Sequence, residues 1–250
     1  MKLFLRVAYI GTAYAGFQVQ KNCVTIQEKL QDAIESLYGK RYPLTGCSRT
    51  DSGVHARDFC CTVECGDDHG KIPVFRLPEA MNRFLPKDIA VFSASEASDS
   101  FHPRYDVESK EYEYLIFNSK VRSPFYDNLA YVYGYPLDER KMNELGAFIC
   151  GKQDFKAFMS AGSDIEDTVR TVKYCIAERD GDIVKIRISA DGFLYNMVRI
   201  IVGTLIEASL GRLEMSIPEI IASQERKNAG FTAPACGLYL NKVEYRDGSL

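Results

Sequence analysis

The chain has 250 residues, 46% hydrophobic and 26% charged, with a formal net charge of −3. That length and balance are ordinary for a globular protein with one sizeable core or two closely joined smaller ones. The opening run from Met1 to Val7 is charged too soon for a secretory signal. The longest apolar run, near Phe193 to Leu210, is broken by Arg199 and Glu207, so no membrane span is expected. A cytoplasmic protein without membrane association is the resulting expectation. The eight cysteines lack the two-residue spacing of a zinc knuckle, and His55, His69 and His102 lie far apart. Free, mostly buried thiols and no metal site are therefore predicted.

In chain order, Leu3 to Ala8 reads as a strand. A helix follows from Thr25, where Thr25 and Glu28 have capping-box spacing and Ile26, Leu30, Ala33, Ile34 and Leu37 form one apolar face. Asp58 to Glu64 predicts a strand, Leu77 to Phe84 a short helix ended by Pro86, and Ile89 to Ser93 another strand. The rhythm then repeats. Glu111 to Phe117 reads as a strand, and Asp138 caps a helix carrying Met142, Leu145, Phe148 and Ile149. A hairpin of Thr171 to Glu178 and Ile183 to Ser189 turns at Asp180-Gly181. A long helix runs from Phe193 to Gly211, Ser216 and Glu219 box the start of another, and Gly237 to Val243 closes the chain as a strand. The fold class is therefore α+β, in two halves (1–105 and 106–250) whose strands can join one mostly antiparallel sheet with helices on one face.

Three places carry candidate chemistry. Asp51 sits in Ser48-Arg49-Thr50-Asp51-Ser52-Gly53-Val54-His55-Ala56, between two apolar strand-like segments. An Asp-x-Gly triplet is commonly a plain turn, but here Arg49 lies two residues before the aspartate, suited to an anionic substrate. Arg199 is the single charge between Phe193 and Ile206, so its guanidinium needs a partner: Asp51, Asp191, Glu207 or water. Tyr112 and Tyr114 alternate on one strand face with Lys110, either as sheet core or as a stacking surface for an extruded base. Arg6, Lys21, Arg57, Arg76, Arg83, Lys87, Arg104, Lys120 and Arg122 add positive charge to the first half. They permit an RNA partner despite the acidic total.

The Arg-Thr-Asp-x-Gly-Val-His-Ala loop resembles the signature of the TruA family of tRNA pseudouridine synthases. Other blocks resemble that family in order: Tyr9 to Gln20, Asn82 to Ile89, Phe101 to Tyr105, Lys110 to Tyr112, Asp154 to Phe158, Phe193 to Arg199, and Ala233 to Leu238. The resemblance implies two ferredoxin-like-related lobes about a central sheet with a cleft between them. It implies an isomerase (an intramolecular transferase) that turns uridine into pseudouridine at positions 38, 39 and 40 of the tRNA anticodon stem-loop, as a homodimer without cofactor or metal. By the same carry-over Asp51 is the essential catalytic aspartate, as a nucleophile attacking the sugar or as a base taking a sugar proton, Arg199 its basic partner and Tyr112 the active-site tyrosine, with Tyr114 the lesser candidate. Tyr112, Arg49, Phe17, Gln18 and His55 are expected to bind substrate.

Departures from the family pattern are Ile10, Phe17, Ser48, Pro103 and Gln153. Ile10 and Phe17 lie in a loop expected to touch RNA. A non-catalytic RNA-binding protein of the same shape, or an enzyme for another RNA, are the alternatives.

Overall fold

The computed structural model describes residues 2–66, 72–163 and 165–246; Met1, the stretch 67–71 with His69, Asp164 and residues 247–250 lie outside the described residues. The chain divides into two compact units, 1–108 with 239–250, and 109–238. Both are mixed α/β with mostly antiparallel pairing. Among the described residues no helix is long and apolar enough to cross a membrane.

In the first unit, β1 (Lys2–Tyr9) is central, antiparallel to both β3 (His55–Val63) and β4 (Ile89–Ala97). The short β2 (Leu44–Gly46) adds to β3. Helix α1 (Ile26–Tyr38) buries Ile26, Leu30, Ala33 and Ile34, the face its periodicity predicts, and Thr25 Oγ1 accepts from the Glu28 N–H at 3.3 Å. Helix α2 is Leu77–Asn82; the Asn82 side chain makes two 2.8 Å bonds to the Val91 backbone, tying α2 to β4. The chain's last strand, β10 (Leu238–Tyr245), pairs in parallel with the start of β3, Tyr239 opposite His55. A division of the sequence near residue 105 does not anticipate this return. Beneath it, Arg6 Nη1 donates to Asp58 Oδ2 at 2.7 Å, and the same oxygen accepts from the Val243 N–H.

In the second unit β5 (Val107–Phe117), β9 (Ile183–Ala190), β8 (Val169–Asp180) and β7 (Gly151–Asp154) lie side by side in that order. The hairpin is where its alternation places it, with Val184, Ile186 and Ile188 buried and Lys185 and Arg187 on the wetter face. β7 and β6 (Tyr131–Val132) were not foreseen; both are short and lack an alternating pattern. Helix α3 (Glu139–Gly146) begins at the Asp138 cap, then tightens to a 3-10 turn over Ala147–Ile149. That change of period leaves Phe148, expected in the core, 53% exposed.

Helix α4 (Met197–Ser209) starts four residues later than expected, because Asn196 takes a left-handed φ of 61°, and ends before Gly211 at φ 67°. Helix α5 (Ile217–Ser223) has the predicted Ser216–Glu219 capping box. All eight cysteines are free, and burial pushes the thiols of Cys60, Cys61 and Cys175 far above their ordinary range.

One close approach fixes α4 in its unit. A Cβ built on Gly203 would lie 1.9 Å from the Phe231 carbonyl oxygen. The Thr204 hydroxyl accepts from the Gly230 N–H at 2.9 Å, and Arg226 donates to the Gly230 carbonyl at 2.8 Å. Gly203→Ala is expected to cost about 1–3 kcal/mol or more, because backbone rather than a flexible side chain must move. A urea midpoint equal to that of the parent would show that the crossing is looser than drawn.

Candidate active site

Asp51 lies in the loop between β2 and β3, half-buried, with Arg49 exposed two residues earlier. The turn is closed by the Val54 N–H donating to the Asp51 carbonyl at 3.2 Å and by Gly53 at φ 78°. So the plain-turn reading of Asp-x-Gly is correct as far as it goes. What sequence alone did not convey is how firmly this turn is gripped.

The grip comes from the end of β1 and the loop after it. Tyr9 Oη and Thr50 Oγ1 share a buried 2.8 Å hydrogen bond, immediately before Asp51. The Phe17 N–H donates to the Thr50 carbonyl at 3.1 Å, and Ser52 Oγ donates to the Tyr14 carbonyl at 3.1 Å, immediately after it. The Gly11 N–H donates to His55 Nδ1 at 3.0 Å. An accepting Nδ1 carries no proton, so the imidazole's proton sits on Nε2. A Cβ on Gly11 would lie 1.9 Å from the Val54 oxygen. One on Gly16, which also has φ +88°, would lie 2.5 Å from the Thr50 oxygen. Both glycines are needed because one backbone runs directly against the other. Tyr14 in turn donates to Asp88 at 2.6 Å, and burial, reinforced by that carboxylate, drives its pKa above the ordinary phenol range.

Two expected substrate contacts change character. Phe17 is 3% exposed, its ring stacked on Phe59 at 4.2 Å and pressed so near Gly46 that a Cβ there would lie 2.6 Å away. His55 is 0% exposed and stacked on Tyr239 at 4.6 Å. Both are packed inside the first unit, which makes them supports of the Asp51 loop rather than surfaces for RNA. Gln18, by contrast, is exposed, as is Arg49.

In the second unit, Tyr112 stands on β5 opposite Ile188, buried, with its ring edge-on to Phe193 at 5.1 Å. Tyr114 on the same strand is wholly enclosed: its hydroxyl donates to the Pro234 carbonyl at 2.7 Å, and burial drives its pKa far up. A Cβ on Gly237 would lie 2.6 Å from the Tyr114 ring. Tyr114 is core.

Arg199, on the first turn of α4, is aimed by two bonds: Nε to the Ala233 carbonyl and Nη1 to Asn196 Oδ1, both 2.7 Å. Asn196, whose amide also reaches Ser160 Oγ at 3.0 Å, is a positioning residue that sequence reading passed over. Of the local acids considered as partners of Arg199, Asp191 accepts from the Thr171 N–H and Glu207 from the Phe231 N–H. Asp154 accepts from Thr168, Lys156 and Gln224, and Phe155, Ala157 and Phe158 beside it are buried, so that block is structural.

Comparison with known proteins gives the class: the family model described as tRNA pseudouridine synthase matches residues 6–106 and 148–246. Tyr112 falls in the gap between these segments. The tRNA pseudouridine synthase A of Thermoanaerobacter sp. is 45% identical over 240 residues, covering 96% of this chain and 97% of that protein. The one from Acetivibrio thermocellus is 44% identical over 242 residues (96% and 98%), and that from Clostridium kluyveri 41% over 242 residues (96% and 98%). A solved chain of a Cbf5-Nop10-Gar1 complex covers 95% of this chain and 57% of its own at 12% identity and a TM-score of 0.34, too loose a likeness to bear on function. The chain belongs to the tRNA pseudouridine synthase family, in its TruA branch, and is an isomerase.

The placement of Phe17 has a direct test. Phe17→Leu is expected to lower stability by about 1–2 kcal/mol through lost burial and packing, while the Kd for tRNA stays at the parental value. Weakened tRNA binding with unchanged stability would return the ring to the RNA surface.

Proposed function

We propose that this chain isomerises uridine to pseudouridine at positions 38, 39 and 40 of the tRNA anticodon stem-loop, with Asp51 as the nucleophile. The observation that carries the assignment of Asp51 is the double grip on its loop: Thr50 and Ser52, its two neighbours, are each bonded to the loop after β1, while the carboxylate itself is only half-buried. A nucleophile held this way keeps its aim when substrate arrives.

In the proposed reaction the target uridine first leaves the helical stack, at a cost of a few kcal/mol. Arg49 and Gln18 hold the surrounding RNA, and Tyr112 stacks on the extruded uracil. Asp51 attacks the sugar C1′ as the bond from C1′ to N1 of uracil breaks, through a cationic sugar-like transition state of the kind carboxylates stabilise in glycoside chemistry. The freed base turns, its C5 bonds to C1′ and displaces the carboxylate. C5 then gives up its proton and N1 takes one. Atoms balance without an oxidant, a reductant or net hydrolysis, so the chemistry calls for no cofactor. Arg199 pairs with Asp51 and keeps it ionised. Phe17 and His55 act from behind the loop. A cytoplasmic homodimer belongs to the same reading.

Asp51→Asn is expected to abolish tritium release from tRNA labelled at uracil C5, with tRNA binding retained. Full activity in that variant ends the assignment of Asp51. Mapping pseudouridine in unmodified tRNA treated with the parent protein tests the target, and product confined to another arm would redirect it. The proposed pairing is tested by a double-mutant cycle of Asp51→Asn and Arg199→Ala. A coupling of about 1–3 kcal/mol in stability is expected, and additivity would separate the two residues.

A further inference from the structure

The block Phe101 to Tyr105 has no task in the chemistry above, yet it is built as a rigid turn in the first unit. Phe101 roots it in the core, edge-on to Phe4 at 5.6 Å and to Tyr245 at 5.1 Å. The backbone closes on itself: the N–H groups of Tyr105 and Asp106 donate to the His102 carbonyl at 3.2 and 3.1 Å. The His102 N–H donates to Asp106 Oδ2 at 2.7 Å, and the Arg104 N–H to His102 Nδ1 at 3.1 Å. Pro103 fixes its own φ, and its carbonyl accepts from the Tyr245 hydroxyl at 2.9 Å. Lys2 Nζ donates to the Phe101 carbonyl at 3.0 Å. Little in this segment is left to swing.

What the turn displays is a pair of adjacent rings with a guanidinium beside them. Tyr105 is 68% exposed. The His102 ring lies 4.2 Å from it at 33°, and the Arg104 guanidinium carbon 5.8 Å from the Tyr105 centroid. The turn's own carboxylate, Asp106, is engaged by a backbone N–H. A large ring left in water on a stiff support has no packing task in the first unit. Such a ring beside a guanidinium is the chemistry that stacks an unpaired base and holds its phosphate.

We propose that the turn 101–106 is a second RNA contact of this enzyme, in which Tyr105 and His102 stack a tRNA nucleotide other than the reacting uridine and Arg104 holds its phosphate. The inference rests on the reading that the chain acts on tRNA. Pro103, a departure from the family pattern, is here what stiffens the platform.

The test measures tRNA affinity by fluorescence anisotropy across a salt series, beside steady-state kinetics. Tyr105→Ala is expected to weaken binding about tenfold, and Tyr105→Phe to restore it, because stacking needs the ring and not the hydroxyl. Arg104→Gln is expected to reduce the slope of log Kd against log salt by about 0.7–0.9, the share of one phosphate contact. The losses should appear in Kd and KM rather than in turnover at saturation. Unchanged Kd in Tyr105→Ala overturns the proposal, as does a loss confined to turnover. A protein partner on this face would give the first of these results. If the parent releases tritium and Tyr105→Ala binds tRNA normally, the contact falls and the proposed function stands. If the parent binds tRNA through Tyr105 but releases no tritium, the contact stands and the proposed function falls.

Discussion

The Asp51 loop holds its shape because another stretch of backbone is pressed against it where no side chain fits. Gly11 abuts Val54 and Gly16 abuts Thr50, each at a distance that a single methyl would violate. Side-chain hydrogen bonds then make the contact specific, with Tyr9 reaching Thr50, Ser52 reaching the Tyr14 backbone, and His55 accepting from Gly11. A hydroxyl or an imidazole in these positions works only because the backbones are already close. The order of causes therefore runs from glycine to approach, from approach to hydrogen bonds, and from those to a fixed backbone on either side of Asp51.

The second unit reaches the same end by other means. There the stretch from Ala233 to Gly237 serves as a shared anchor, its carbonyls taking the Arg199 guanidinium and the Tyr114 hydroxyl. Tyr114 is thereby held in place as core, while Tyr112, two residues earlier on β5, meets the edge of the Phe193 ring. Two tyrosines on one strand face are thus both buried but differently held. Neither the strand periodicity nor the side-chain chemistry could separate them; the 233–237 segment does.

Much of the fold was legible in the sequence. Thr25, Asp138 and Ser216 cap helices where their spacing says, and Val184, Ile186 and Ile188 face inward. The errors share a cause: one-dimensional patterns do not record non-local contacts or unusual backbone angles. Asn196 at positive φ delays α4, and a 3-10 turn swings Phe148 outward. The same applies at the site. Asp51, Arg199 and Tyr112 were singled out by charge, isolation and resemblance. Tyr9 and Asp88 act through partners tens of residues away, and Asn196 holds Arg199 from a left-handed helix cap; no local pattern marks them.

The two departures in the loop after β1 consequently carry different weight. Phe17 is enclosed between Phe59 and Gly46, so a change of ring there alters RNA only through the loop it supports. Ile10 is 38% exposed and is bound through its backbone alone to the Asp88 carbonyl at 2.9 Å. Its side chain is held at the surface beside the Gly11 contact while remaining free to vary without loosening the grip on Asp51. Variation at residue 10 therefore leaves the grip on the Asp51 loop intact, whereas variation at residue 17 cannot escape the core.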